Sequence, residues 1–263
     1  MTTSSHSFVV LAYGESPYVE ECIQSLLRQT RQGKVLLTTS TPSPYLTDIS
    51  SRLGLALIVN PEAGGIAADW SFALASADTR YVTLAHQDDL YDSTYVEHCV
   101  EAAARHPDNL ITFTRYREMR GDKITHYNLN LVVKSLMLKL AFGWRECART
   151  PRQKRRVVAF GSPIPCPSVM YNRDALGHFA FSPGYEVNLD WDAWIRLVER
   201  PGSFVLVREK LMTHRIHSAS QTTEGILNSR RRQEDLRCFE RLWPRAIARA
   251  LAVAYSLSYR SNR

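Results

Sequence analysis

The chain opens with alternating strand-length and helix-length patterns. Ser7 to Tyr13 (SFVVLAY) is an unbroken apolar run, closed by a Gly14-Glu15-Ser16-Pro17 turn. Tyr18-Val19, Cys22-Ile23 and Leu26-Leu27 then recur at helical spacing, predicting an amphipathic helix to about Thr30. Lys34 to Thr39 is a second strand and Thr41-Pro42-Ser43-Pro44 a break. A short helix is expected over Tyr45 to Leu53 and a third strand over Leu55 to Val59. Strand and helix in strict alternation predict a parallel sheet with crossover helices. A glycine pair, Gly64-Gly65, precedes the next helical stretch and permits a close approach of backbone to a ligand.

The rest of the chain is organised around Tyr81 to Tyr91, YVTLAHQDDLY. Tyr81 to Leu84 reads as a buried strand and runs directly into Asp88 and Asp89. Asp92-Ser93 is a plausible N-cap for a helix from Thr94 to Arg105. Ligands of open α/β sheets gather at the carboxyl ends of the strands. Two carboxylates there suit a hard divalent cation shared with substrate phosphates. Taken alone, an Asp-Asp pair more often solvates a loop, so its neighbours decide. The phosphate-loop motif GxxxxGK[ST] is absent, as is GxGxxG after the first strand.

Downstream, Leu110 to Thr114 is a further strand and Arg120 to Lys123 a hairpin turn. Leu131 to Trp144 (LVVKSLMLKLAFGW) is apolar nearly all round: a core helix, a lid over an acceptor, or a segment lying on a membrane surface. At 14 residues it is too short to span a bilayer. Phe160 to Tyr171 is a proline-fixed loop leading into a short strand, with Cys166 read as a small packed residue. Val187 to Val198 (VNLDWDAWIRLV) predicts an aromatic-rich helix that Asp190 could cap. Asp192 follows two residues on and so points to another face. Phe204 to Val207 is a strand, and Thr213 to Thr222 collects His214, Arg215 and His217. The tail, Ile226 to Arg263, reads as one or two basic helices broken at Trp243-Pro244, with Ile247, Leu251, Ala254 and Tyr255 near one face.

Composition adds two constraints. The net charge of +7 is concentrated: Arg145 to Arg156 holds six basic residues and one acidic, and Ile226 to Arg263 nine basic and three acidic. The remainder is mildly acidic, so the basicity suggests docking surfaces for phosphate-rich lipid or an anionic acceptor. No nucleic-acid recognition motif stands beside either segment. The five cysteines show no CxxC spacing, and the N-terminus lacks the pattern of a signal peptide; a cytoplasmic protein, peripheral on the membrane if the basic segments dock there, is expected.

Three stretches in order, FVVLAYGESPYVEECIQSLLRQT, NPEAGGIAADWSFAL and the strand ending in HQDD, resemble the donor-binding half of family 2 glycosyltransferases with the GT-A fold. The resemblance covers residues 7–120 well and reaches the second half through two further motifs. It implies an α/β, Rossmann-like mixed sheet, mainly parallel and flanked by helices. The glycosyltransferase domain would span 1–225, with a donor half to about 120 and an acceptor half beyond it; 226–263 would be a basic helical extension. By position, the resemblance implies nucleotide-sugar contacts at Ala12, Tyr13, Glu15, Gly65 and Asp69. His86 stands where the family has the first carboxylate of its acidic motif. Asp88 would lie near the ribose or the metal, and Asp89 would ligate a Mn²⁺ or Mg²⁺ ion bridging the donor diphosphate. Leu189 takes the place of a family Glu, leaving Asp190 as the general base. His217 would approach the metal or diphosphate, with His214 and Arg215 as second choices.

The implied reaction is metal-dependent, inverting sugar transfer from a nucleotide-diphosphate sugar to a glycan or lipid-linked acceptor hydroxyl, without a covalent intermediate. A nucleotidyltransferase would need a glycine-rich basic loop that GESPYVE does not provide. A non-catalytic nucleotide-sugar-binding or membrane-docking module is the main alternative, because His86 and Leu189 each replace a carboxylate. A nucleic-acid-binding module would account for the basic tail alone.

Overall fold

The computed structural model describes residues 5–62, 64–217 and 230–257. The N-terminal part follows the predicted alternation: β1 (His6–Ala12), α1 (Val19–Leu27), β2 (Lys34–Thr39), α2 (Pro44–Leu53), β3 (Ala56–Val59), α3 (Ile66–Ser76) and β4 (Tyr81–His86). A two-residue strand β5 (Leu90–Tyr91) and α4 (Tyr95–Arg105) follow, then β6 (Asn109–Arg120) and β7 (Lys123–Thr125) as a hairpin about Gly121. The second half comprises α5 (Leu129–Phe142), β8 (Cys147–Ala148), α6 (Pro151–Val158), a 3-10 turn at Cys166–Ser168, β9 (Val169–Asn172), α7 (Arg173–Leu176), α8 (Leu189–Val198) and β10 (Ser203–Arg215). Two helices close the described chain, α9 (Arg230–Leu242) and α10 (Arg245–Leu257).

One sheet joins both halves, in the order β3-β2-β1-β4-β9-β6-β10-β5. β1 to β4 are parallel, as the crossover helices require. β9 enters antiparallel between β4 and β6, and β6 and β10 run parallel to one another. The sheet is therefore mixed and mainly parallel. Its central strands read as continuous buried runs because helices cover both faces: Val9, Val82 and Leu84 belong to one core layer, Phe8 and Val10 to the other.

Several elements depart from their predicted form. α4 starts at Tyr95 behind Thr94, without a side-chain cap; the Asp92 carboxylate pairs with Arg117 instead. Asp190 is the second residue of α8, and Asn188 holds the capping position. The strand expected over Phe204 to Val207 continues to Arg215 and carries His214 into the sheet. Residues 218–222 of the Thr213 to Thr222 segment lie outside the described residues. In the basic run after α5, Lys154 is buried and donates to the carbonyls of Leu197 and Arg200, so it belongs to the scaffold.

The tail breaks at Trp243-Pro244 as expected, but α10 turns a face one step away from the predicted one. Ala248, Leu251, Ala252 and Tyr255 pack on the core while Ile247 and Ala254 are exposed. Cys238, Phe239 and Leu242 of α9 are buried, and Phe239 meets Trp191 of α8 edge-on at 4.9 Å. The basic helices thus seal one side of α8.

Candidate active site

β4 ends at His86, and the turn that follows folds back through Asp89 N–H to the His86 carbonyl. This turn places a ring nitrogen of His86 and one oxygen each of Asp88 and Asp89 within 4.8 Å of one another. The two carboxylates have different surroundings. Asp89 is fully buried, and its Oδ1 lies 2.9 Å from His214 Nδ1 and accepts the Arg215 backbone N–H at 3.0 Å. Asp88 is partly open, with its Oδ2 2.8 Å from His217 Nε2 and its backbone carbonyl accepting from Arg215 Nε.

Electrostatics sort the histidines. Burial pushes the His86 imidazole down to about 4, so its ring is neutral. Burial also opposes charge on His214, but the Asp89 carboxylate and its hydrogen bond, with Asp88 and Glu118 beyond, outweigh it and push the ring up to about 9. Arg215 is fixed by an ion pair to Glu21 at 2.5 Å and by stacking its guanidinium 4.4 Å from the Tyr18 ring centre. His86 Nε2 and Asp89 Oδ2 are buried and have no hydrogen-bond partner among the described residues. Buried polar atoms left without partners are costly, and here both belong to one oxygen-and-imidazole cluster. A divalent cation fits that donor set.

The loops beside this cluster are tied to it. Gln87 spans to the loop after β1, accepting the Tyr13 N–H and donating to the Tyr13 carbonyl, both at 3.0 Å. Tyr13 and Glu15 project into solvent, and Ala12 is buried at the strand end. Gly65 takes φ +76° ahead of α3, and a side chain on Gly64 would stand 2.5 Å from Ala68 Cβ. Asp69, one turn into α3, accepts from Ser40 Oγ at 2.8 Å and Asn60 Nδ2 at 2.9 Å. It thereby fastens the ends of β2 and β3 beside the same crevice.

Asp190 stands across the site on α8. Its Oδ1 accepts the Trp191 N–H at 2.6 Å, yet burial pushes the carboxyl up to about 6; Lys134 and Arg231 restrain the shift. Lys134 reaches down from α5 and donates to Tyr116 Oη at 2.8 Å. Tyr116 and Cys166 hold their protons tightly because they are buried, with Asp190 and Asp89 both close enough to reinforce the effect. The Cys166 thiol is therefore no nucleophile. The α8 start is anchored from α9. Glu234 is buried and its carboxylate accepts the backbone N–H groups of Glu186, Val187 and Asn188 at 2.8–3.0 Å. Asp192 points elsewhere, paired with Arg196 and Arg241.

The family described as Glycosyl transferase family 2 matches residues 7–178. The chain belongs to glycosyl transferase family 2. Among curated proteins it is similar to the uncharacterized glycosyltransferase EpsJ of Bacillus subtilis, 22% identical over 138 residues; the match covers 51% of this chain and 40% of that protein. The chain thus spans well under half the length of this curated relative. Among solved structures, the mannosyltransferase PcManGT from Pyrobaculum calidifontis, in complex with GDP-Man and Mn²⁺, superposes with a TM-score of 0.64 at 15% identity, covering 95% of this chain and 70% of that one. S. aureus TarS in complex with UDP-GlcNAc gives 0.62 at 12% identity, over 96% and 71%. Both carry the fold across nearly the whole chain, past the end of the family match.

Within this glycosyltransferase fold, the predicted residues fall into two groups. Asp88, Asp89 and His217 gather at the end of β4, with Tyr13 tied to the same turn through Gln87. Asp190 lies apart from them, on α8. His217, the first choice among the histidines, meets Asp88, and His214, a second choice, meets Asp89. Gln87, Lys134 and Glu234 were missed. Gln87 sits inside the HQDD motif; Lys134 interrupts an apolar run; Glu234 carries no local signal at all.

Proposed function

We propose that this chain transfers a sugar from a nucleotide-diphosphate donor to an acceptor hydroxyl, with inversion at the anomeric carbon. The observation that carries the reading is the pairing of the Asp88-Asp89 turn with a second, separately tuned carboxyl, Asp190, whose pKa of about 6 suits a base working near neutral pH.

The donor would lie in the crevice between the loop after β1, the Gly64-Gly65 turn and the HQDD turn. Asp88 and Asp89, with His86 and His217 beside them, would hold a divalent cation. Bound there, that cation supplies positive charge to the departing diphosphate. Asp89 keeps β10 in register with the turn through His214 and Arg215, so it also acts as a scaffold. Asp190 removes the proton from the acceptor hydroxyl as its oxygen bonds to the anomeric carbon. The carbon–diphosphate bond breaks on the opposite face, releasing nucleoside diphosphate. The proton rests on Asp190 and passes to solvent. No enzyme nucleophile is needed, consistent with a buried, protonated Cys166.

The acceptor would be a glycan or lipid-linked chain, approaching from the side of α5 and α8. Two features support this: Lys134 of α5 is near enough to Asp190 to favour its ionised form, and the basic segments flank the same helices. Polysaccharide or glycolipid assembly at a membrane surface fits this arrangement. No helix among the described residues is long and apolar enough to cross a membrane.

The test is a panel of nucleotide sugars with Mn²⁺ or Mg²⁺, following nucleoside diphosphate release. Metal-dependent turnover of one donor, lost in Asp88→Ala and Asp190→Asn, supports the reading. Failure of the wild type to bind any nucleotide sugar overturns it.

A further inference from the structure

The α5 helix is apolar on two faces, and only one of them is covered. Leu131, Leu138 and Phe142 are buried against the sheet. On the opposite side Leu129, Val133, Leu136 and Leu140 recur every three or four residues and stand 66%, 45%, 52% and 75% exposed. Trp144, just beyond the helix end, is 99% exposed, and Tyr127, just before its start, is 76% exposed. A row of exposed aliphatic side chains with an aromatic at each end is unusual for a surface meant to stay in water. Nothing in the fold requires it, because the inner face already supplies the packing.

The border of this row is cationic. Lys139 lies on the helix beside Leu140, and Arg145 follows Trp144. The neighbouring α6 exposes Arg152, Arg155 and Arg156, while its Lys154, Val157 and Val158 face inward. None of these four arginines forms an ion pair among the described residues. Two carboxylates beside this segment are already engaged, Glu146 by Arg105 and Asp108 by Arg149.

We propose that the outer face of α5 seats the protein on an anionic lipid bilayer. The helix lies in the plane of the interface, its aliphatic row in the acyl boundary and Trp144 and Tyr127 at headgroup level. Arg145, Arg152, Arg155 and Arg156 meet the lipid phosphates. Charge decides the occupant: an unpaired cationic border around an aliphatic row complements an anionic bilayer. A second copy of the same face would bring like charges together. The seat has a consequence for chemistry, resting on the transferase reading above. The inner face of α5 carries Lys134 beside Asp190, so the acceptor entrance opens next to the lipid headgroups.

The experiment is flotation of the full chain with phosphatidylcholine vesicles, with and without phosphatidylglycerol, at low and high salt. The chain is expected to float with the anionic vesicles at low salt and to dissociate as salt rises. Trp144 fluorescence should shift to the blue, and Trp144→Phe should remove that shift. Leu136→Glu/Leu140→Glu should cut the floated fraction at least tenfold, and Arg155→Glu/Arg156→Glu should lower the salt needed for release. Both variants should keep the wild-type melting temperature and nucleotide-sugar binding. Absence of flotation at low salt overturns the proposal, as does flotation unchanged in both variants. A solution dimer that Leu136→Glu/Leu140→Glu converts to monomer also overturns it, assigning the face to a second copy. Asp190→Asn should float like the wild type, so loss of transfer and loss of the membrane seat are read separately.

Discussion

His214 Nδ1 lies 2.9 Å from Asp89 Oδ1, joining β10 to the end of β4 across 125 positions of sequence. Asp89 is fully buried, and this partner and the Arg215 N–H hold its Oδ1. Asp89→Ala is expected to lose about 1–3 kcal/mol in urea denaturation, because the buried Arg215 N–H would lose its acceptor and the His214 ring its partner. Asp88→Ala, with a more open side chain, should stay within about 1 kcal/mol of wild type. Calorimetric titration of Mn²⁺ with nucleoside diphosphate should nevertheless lose its signal in Asp88→Ala. Equal destabilisation by the two substitutions would contradict this division of labour.

Asp190 makes the pH dependence specific. Its carboxyl is pushed from the ordinary 3.8 up to about 6 by burial, so the base is ionised above pH 6 and transfer should fall tenfold per unit below it. The same shift works against stability. A carboxyl with a raised folded pKa contributes stability fully below pH 3.8 and loses it as pH rises through 6. Asp190→Asn should therefore be more stable than wild type at pH 8, by up to about 3 kcal/mol, and melt higher, while losing roughly 10²–10⁴ in turnover. A lower melting temperature at pH 8 would show that burial is not what tunes the group.

Gln87 clasps the Tyr13 backbone from both sides. Gln87→Ala should loosen the loop after β1 and raise KM for the nucleotide sugar about tenfold, equivalent to about 1.4 kcal/mol, with kcat little changed. Steady-state kinetics with the donor varied would distinguish this from a defect at Asp190, which would appear in kcat.

Glu234 accepts three consecutive backbone N–H groups just ahead of α8. Glu234→Ala leaves the buried Asn188 N–H without a partner and is expected to cost about 1–3 kcal/mol. Because these groups position Asp190, kcat should drop and its acid limb should move from pH 6, while donor affinity stays near wild type. Glu234→Gln, which keeps one acceptor oxygen, should recover part of both.

Much of this protein follows from local pattern. Strands β1, β2 and β4 are buried on both faces over most of their length, so they appear as continuous apolar runs whatever they pair with. The intervening helices bury one stripe and show helical spacing. Asp88 and Asp89 are legible because a strand that ends in carboxylates puts them at the sheet's ligand-binding edge. Tertiary structure decided what depends on distant partners. Asp92 leaves its predicted cap because Arg117 arrives from β6. His214 becomes a sheet residue because β10 finds a long parallel partner in β6. Glu234 gains its role only when α9 packs against α8. The two faces of α5 are equally apolar in sequence, so its periodicity holds no record of which one the core would cover. That choice was made by Leu131, Leu138 and Phe142 packing inward, which left Leu136, Leu140 and Trp144 facing outward.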